Sequence, residues 1–393
     1  MAVVHTDDVV DPLERARSLA PLIAASTGSI DADRRLPEPL VAALKAQGLL
    51  HLLLPRAYGG GEVAPARFVE VVEELARHDA STAWCVGQLG VCAMAAAYLT
   101  PESARRVFDD GRGILAWGSN ASPVTARVEP GGYRVSGGWS FASGGHHATW
   151  VGGHCVVADP DGTLRHDAKG HAIGRTLLFR AEEVIWADDW QVLGLRGTGS
   201  DSYSVEELFV PDELTLDRDL PSGRLIDAPL YRLRTDQMYS CGFAGVALGV
   251  ARAMLDALVQ LAARKTPRGF RNTLGESPVV QSEIAQLEAT LRSSRHFLYG
   301  TLAEVWSAAN SGELSMTDRI GVRLAATHCI DQARHVANAT YHFAGSNAVR
   351  ANGPFERRFR DLNSIAQQMQ GRWSHYETVG RYLLGAEIEP QFL

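Results

Sequence analysis

Apolar residues recur three and four positions apart in PLERARSLAPLIAAS (12–26) and EPLVAALKAQGLL (38–50), the spacing of helices with one buried face. LPRAYGGGEV (54–63) then interrupts the pattern with Pro and three Gly, which mark a loop. Residues 66–99 are Ala-rich and apolar around most of a helical circumference, so this run predicts a long helix inside the core. From about 113 to 215 the pattern shortens. GYRVSGGWSF, WVGGHCVV, RTLLFRAEEVIWA and DSYSVEELFV are rich in β-branched and aromatic residues, and turns such as EPGG and DPDG separate them. From about 225 onward helical spacing returns in four long segments, roughly 236–265, 277–312, 315–347 and 354–385, as in an antiparallel four-helix bundle. The expected fold is α+β and mainly α. It has an N-terminal helical domain (1–112), a central β-barrel-like domain (113–220) and a C-terminal four-helix bundle (221–393).

One stretch departs from its surroundings. WSFASGGHHATW (139–150) reads as a strand, yet two glycines strip the backbone of side chains beside Ser143. Bare backbone in a strand marks a bulge or the close approach of another molecule. In a strand His146 and His147 face opposite sides, and no third ligand stands at metal-binding spacing, so no metal site is expected.

Composition narrows the function classes. The 393 residues are 46% hydrophobic and 21% charged, as in globular proteins, and the net charge of −7 argues against nucleic acid and anionic membrane as partners. No apolar run is seen to reach the ~18 residues of a membrane span, and the acidic start MAVVHTDDVVDPLERA lacks the form of a signal peptide. A cytoplasmic location is expected. Five scattered cysteines without a CxxC pair read as reduced, buried thiols.

Helices, then strands, then a long-helix bundle, with four motifs in fixed order, resemble the acyl-CoA dehydrogenase fold. The motifs are ILAWGSNASP (114–123), the FASG of 141–144, LGLRGTGSDSYSVEELFVPDE (193–213) and PFERRFRDLNSIAQQMQG (354–371). The resemblance implies a flavin held between the β domain and the bundle. Phe141, Ser143 and Gly144 would meet its N5 edge, and Trp117, Ser119 and Asn120 would run along the ring. Arg268 and Arg271, with the turn at Gly345 and Ser346, would meet the flavin phosphate, the arginines reaching a neighbouring subunit. The same resemblance implies a homotetramer.

Departures from the dehydrogenase pattern shift the expected chemistry. Where dehydrogenases carry a catalytic Glu before Gly, this chain has Gln370 before Gly371, and an amide is no base near neutral pH. Phe-x-Ser-Gly and HDASTAWC (78–85) are closer to the two-component flavin monooxygenases of the fold, the branch of p-hydroxyphenylacetate hydroxylase and amino-sugar N-oxygenases. These take reduced FMN (FAD being the alternative) from a separate flavin reductase. They react it with O₂ and transfer oxygen through a C4a-hydroperoxide. Ser143 is the implied catalytic residue, holding the N5 proton. Phenol hydroxylases of the branch carry histidines where Cys92 stands here and near Gln368 and Gln370, so heteroatom or indole-like oxygenation of a small substrate is open. Trp84 offers a planar pocket wall or a core filler. The alternatives are a dehydrogenase with a relocated base, nearest downstream Glu377, and a non-catalytic ligand-binding relative.

Overall fold

The computed structural model describes residues 10–388 apart from 121 and 219. Among these, six helices come first: α1 (Pro12–Ser18), α2 (Ala20–Asp33), α3 (Glu38–Ala46), α4 (Pro65–His78), α5 (Ala80–Cys92) and α6 (Pro101–Phe108). Eight strands follow: β1 (Leu115–Trp117), β2 (Thr125–Glu129), β3 (Gly132–Trp139), β4 (Trp150–Ala158), β5 (Gly174–Arg180), β6 (Ile185–Trp186), β7 (Tyr203–Pro211) and β8 (Thr215–Leu216). The chain then returns to helices α7 (Thr235–Ala262), α8 (Pro278–Ser311), α9 (Met316–Ala344), α10 (Glu356–Ile365) and α11 (Ser374–Leu383). The helix–sheet–helix order is the one the residue pattern predicts.

Three elements differ from expectation. The run 66–99 is not one helix. Asp79 takes extended backbone between α4 and α5, and its carboxylate accepts the Thr82 N–H at 2.7 Å. A carboxylate that caps exposed N–H groups favours a new helix start over continuation of the old one. The fourth bundle segment is also split: Met369–Gly371 form a tight turn between α10 and α11. There the Gln368 side chain accepts the Gln370 N–H at 2.7 Å, and His375 Nε2 bonds the Met369 carbonyl at 2.8 Å. Such local side-chain bonds compete with helix continuation. Finally, β3 stops at Trp139, and the chain then turns back through Phe141 (φ 64°) and Gly144 (φ 72°) into a single tight turn, Gly145–His147. His146 and His147 therefore do not alternate as strand neighbours.

Two stretches, Ala80–Tyr98 and Thr235–Ala262, are long and apolar enough to cross a membrane, contrary to the expectation that none is. Both are core helices, the first wholly buried. They pack around α4, where Gly242, Gly245 and Gly249 of α7 face it: a Cβ at position 245 would stand 2.9 Å from Val69. The small-residue face of α7 is thus engaged within the chain. The sheet follows the order β6-β7-β3-β2-β4-β5-β8, and β1 pairs in parallel with β4. β1 delivers the chain to Ser119, whose backbone exchanges hydrogen bonds with Ser140 (2.8 and 2.7 Å). The 117–120 and 140–144 segments therefore lie side by side, next to the bundle.

Candidate active site

Ser143 is buried and hydrogen-bonded on two sides. Its Oγ accepts from Trp84 Nε1 at 3.0 Å and lies 2.7 Å from Ser200 Oγ, which lies 2.6 Å from Thr198 Oγ1. Thr198 Oγ1 in turn bonds the Leu195 carbonyl at 2.8 Å. A carbonyl only accepts, so the direction of every proton in the row is determined. Thr198 donates to Leu195, Ser200 donates to Thr198, and Ser143 donates to Ser200. The hydrogen of Ser143 is therefore committed inward, and what its oxygen has left to offer is an acceptor lone pair. Gly144 beside it donates its N–H to the Thr198 carbonyl at 2.8 Å and needs its left-handed φ, which a side chain would strain. Phe141 stands 61% exposed, edge-on to Trp190 at 5.9 Å between centroids.

Behind Ser143 lies an aromatic wall. Trp84 stacks on Phe243 of α7 at 3.7 Å and 2°, and Phe243 stacks on Tyr239 at 5.7 Å. One turn along α5, Gln88 Nε2 reaches the Trp117 carbonyl (3.1 Å) and the Tyr239 hydroxyl (3.3 Å), and Cys92 Sγ lies 3.3 Å from that hydroxyl. Burial pushes the Cys92 thiol up to about 12 and Tyr239 well above its ordinary range, so neither offers a base at neutral pH. Trp117 is buried, with Arg218 5.4 Å above its ring. Ser119 is exposed, and Asn120 turns its amide to the Ser122 carbonyl at 3.0 Å.

The Arg-Asp segment joins sheet to bundle. Asp361 Oδ1 accepts the Leu195 N–H at 2.7 Å, and Arg360 donates to the Leu193 carbonyl at 2.8 Å. Burial, then the nearby Asp79 carboxylate, raises the Asp361 carboxyl to about 7. Leu195, between the hydroxyl row and Asp361, is bonded on both its faces.

Gln370 is buried and accepts from Arg323, a buried guanidinium with no carboxylate within ion-pair distance among the described residues. Gln368 leaves its Nε2 buried without a partner. Glu377, the nearest downstream Glu considered for a relocated base, is exposed on α11. We expect Gln370→Glu to create no acyl-CoA oxidation, because pairing with Arg323 would lower the pKa of the new carboxylate and leave it a weak base. The pair would lower the carboxyl pKa in the folded state, so its stabilisation, about 1 kcal/mol, is fully present above the unfolded value near 4.3, starts to fall below it and is gone once pH has dropped through the lower folded value. Melting temperatures of the variant and the parent at pH 7 and pH 4 check this.

At the far end of the bundle, Lys265 Nζ donates to the Ala344 carbonyl at 2.9 Å, tying the loop after α7 to the turn at Gly345 (φ 58°). Ser346 is exposed in that turn, and Arg268 and Arg271 are exposed in the loop without an ion pair in this chain among the described residues. His146 Nε2 lies 2.7 Å from Asp201, whose other oxygen accepts the Asp189 and Trp190 N–H groups. Burial, then the neighbouring His146, lowers His147 to about 4. Among the described residues no three His, Cys, Asp or Glu side chains form a metal-binding group.

The structure brings Trp84, Cys92, Trp117, Ser143 and Gly144 into one region, with Phe141 at its rim. It places Gln368 and Gln370 in the α10–α11 turn, and Arg268, Arg271, Gly345 and Ser346 in the α7 loop and the α9 turn. Sequence reasoning missed Gln88, Tyr239, Phe243, Thr198, Ser200 and Arg323. A lone amide in an otherwise apolar helix was the available signal for Gln88.

A sheet carrying the aromatic-x-Ser-Gly turn, fastened to a helical bundle by an Arg-Asp pair, defines the flavoprotein class built on the acyl-CoA dehydrogenase fold. Residues 16–109 match the family described as Acyl-CoA dehydrogenase, N-terminal domain, and residues 241–371 match Acyl-CoA dehydrogenase, C-terminal domain. The chain belongs to the acyl-CoA dehydrogenase family, and curated relatives similar to it over most of its length are flavin-dependent monooxygenases. It is 28% identical over 370 residues to an indole-3-acetate monooxygenase of Pseudomonas putida, covering 94% of this chain and 92% of that protein. It is likewise 28% identical over 396 residues to the oxygenase component of an FADH2-dependent resorcinol hydroxylase of a Rhizobium species, covering 96% and 95%. The solved structure of XiaF from a Streptomyces species, in complex with FADH2 and glycerol, superposes with a TM-score of 0.88 at 22% identity, covering 97% of each chain.

Proposed function

We propose that this chain is the oxygenase component of a two-component system, taking reduced FMN (or FADH2) from a flavin reductase and using O₂ to oxygenate a small aromatic substrate. The observation that carries this reading is the polarity at Ser143. Reduced flavin carries a proton on N5 and is a donor there, whereas oxidised flavin has only a lone pair. A serine whose own hydrogen is committed to Ser200 and whose free face accepts is suited to the reduced form. When bound, the flavin supplies two electrons and the ring carbon at which dioxygen is activated.

The chain's own residues do the rest. Phe141, Ser143 and Gly144 hold the N5 edge, and the 117–120 backbone, with Trp117, Ser119 and Asn120, borders the ring. Ser143 keeps the N5 proton in place, while Trp84 and Phe243 exclude the water that would carry it off. Arg268 and Arg271, with Gly345 and Ser346, meet phosphate across a subunit contact, in a working form that is the homotetramer the family resemblance implies. Their freedom from ion pairs among the described residues supports this, since a guanidinium fork suits phosphate oxygens. The reading places the enzyme in the cytoplasm, where a reductase supplies the flavin. The dehydrogenase alternative lacks a base, with Gln370 neutral and Glu377 exposed.

The test is anaerobic titration with reduced and oxidised FMN, then mixing with ¹⁸O₂ and an indole or phenol panel. We expect a colourless preparation, tighter binding of the reduced form and label in the product. A yellow preparation whose flavin is bleached by an acyl-CoA would overturn the proposal in favour of the dehydrogenase.

A further inference from the structure

We propose that Gln88 determines substrate specificity, its side-chain carbonyl accepting a hydrogen bond from the ring N–H of a planar aromatic substrate. The inference deepens the oxygenase reading and rests on it.

Helices α5 and α7 are sealed along most of their length: Val86, Cys92, Ser240 and Cys241 are 0% exposed. Four side chains where the two helices meet keep a little exposure. Trp84 and Gln88 keep 7% and 9%, and Tyr239 and Phe243 keep 8% and 5%. Within each pair the residues are four apart, so they share a helix face. The two faces meet through the Trp84–Phe243 stack and the Gln88–Tyr239 hydrogen bond. The exposure they keep gathers at this contact, a narrow opening that Trp84 ties to Ser143.

The orientation of the Gln88 amide is forced. Its nitrogen bonds the Trp117 carbonyl, which cannot donate, so a flipped amide would set oxygen against oxygen. Oε1 must therefore point the other way. Among the described residues no donor reaches Oε1, and it is not sealed from solvent. An acceptor facing an aromatic-walled opening calls for a donor on a flat ligand.

The opening also holds no group able to take that proton away. The Cys92 thiol and the Tyr239 hydroxyl stay protonated, both being buried, and Gln88 is neutral. A phenol gains reactivity by losing its proton, whereas a pyrrole-type N–H ring is electron-rich with its proton in place. The chemistry of the opening thus favours N–H heteroaromatics.

Indole and benzofuran, equal in shape and differing in the N–H, separate the outcomes. In equilibrium dialysis of the full-length protein under nitrogen with reduced FMN present, indole is expected to bind about tenfold tighter than benzofuran. Gln88→Leu should bring the two within about twofold while binding reduced FMN as the parent does. Gln88→Met, which keeps the chain length, serves as a second variant should Gln88→Leu not fold. Equal binding of the two probes by the parent, or an undiminished indole preference in a folded variant, would overturn the inference. An indole preference lost in the variant supports it, even if no oxygen from O₂ enters a product; that last result would sink the oxygenase reading alone.

Discussion

Ser143→Ala is expected to lower product formed per reduced FMN consumed roughly 10- to 100-fold, the cost of one hydrogen bond to a buried partner. The lost reducing equivalents should appear as hydrogen peroxide. Serine oxygen is the acceptor that keeps the N5 proton from leaving, and alanine offers none. The same change leaves Trp84 Nε1 without its partner, a stability cost of about 1–3 kcal/mol that a melting curve reads separately. Thr198→Val distinguishes the two effects, since it keeps the serine oxygen and its tryptophan contact yet removes the group that turns the hydroxyls inward. Its coupling should fall between those of the parent and the alanine variant. Peroxide yield, product yield and oxygen uptake measured together check both variants. Parental coupling in a folded Ser143→Ala protein would remove Ser143 from the chemistry.

Gly194→Ala should destabilise the chain by about 3 kcal/mol or more. A Cβ there would stand 2.6 Å from the Asp361 nitrogen and closer still to the Arg360 carbonyl. These are backbone atoms of α10, and they cannot swing aside as a side-chain tip can. To admit the methyl, the 193–195 loop must lift off the helix. That breaks the Leu195–Asp361 and Arg360–Leu193 hydrogen bonds together. Urea denaturation of the variant, followed by a titration with reduced FMN on whatever remains folded, measures both consequences. A parental midpoint would show that the loop has slack which the close approach denies.

Much of the fold was legible because periodicity and turn residues are local signals. Three-and-four spacing gave the helices, alternating β-branched and aromatic residues gave the strands, and FASG with ERRFRD pointed to the sheet–bundle junction. The breaks were less legible. At Asp79 and Gln368 a side chain diverts the backbone with no change in apolar pattern, so the helix spacing runs straight through both. The site was legible where it lies on one segment, as at 141–144. It was hidden where it depends on partners far apart in the chain. Gln88 and Tyr239 are 151 positions apart, and Arg323 and Gln370 are 47 apart; each is one polar residue in an apolar or mixed run until the helices meet. The hydroxyl row shows the same limit. GTGS reads as a loose glycine turn, and only its seat against Ser143 gives Thr198 and Ser200 a direction.

Leu195 works as an interlock. Its amide is gripped by the helical bundle, while its carbonyl sets which way three hydroxyls point in the loops beside the sheet. A molecule with the bundle not yet seated loses that anchor, and the serine is then free to rotate its hydrogen outward. Misassembled enzyme would thus greet an incoming reduced ring with a donor where it needs an acceptor, and hold it less tightly.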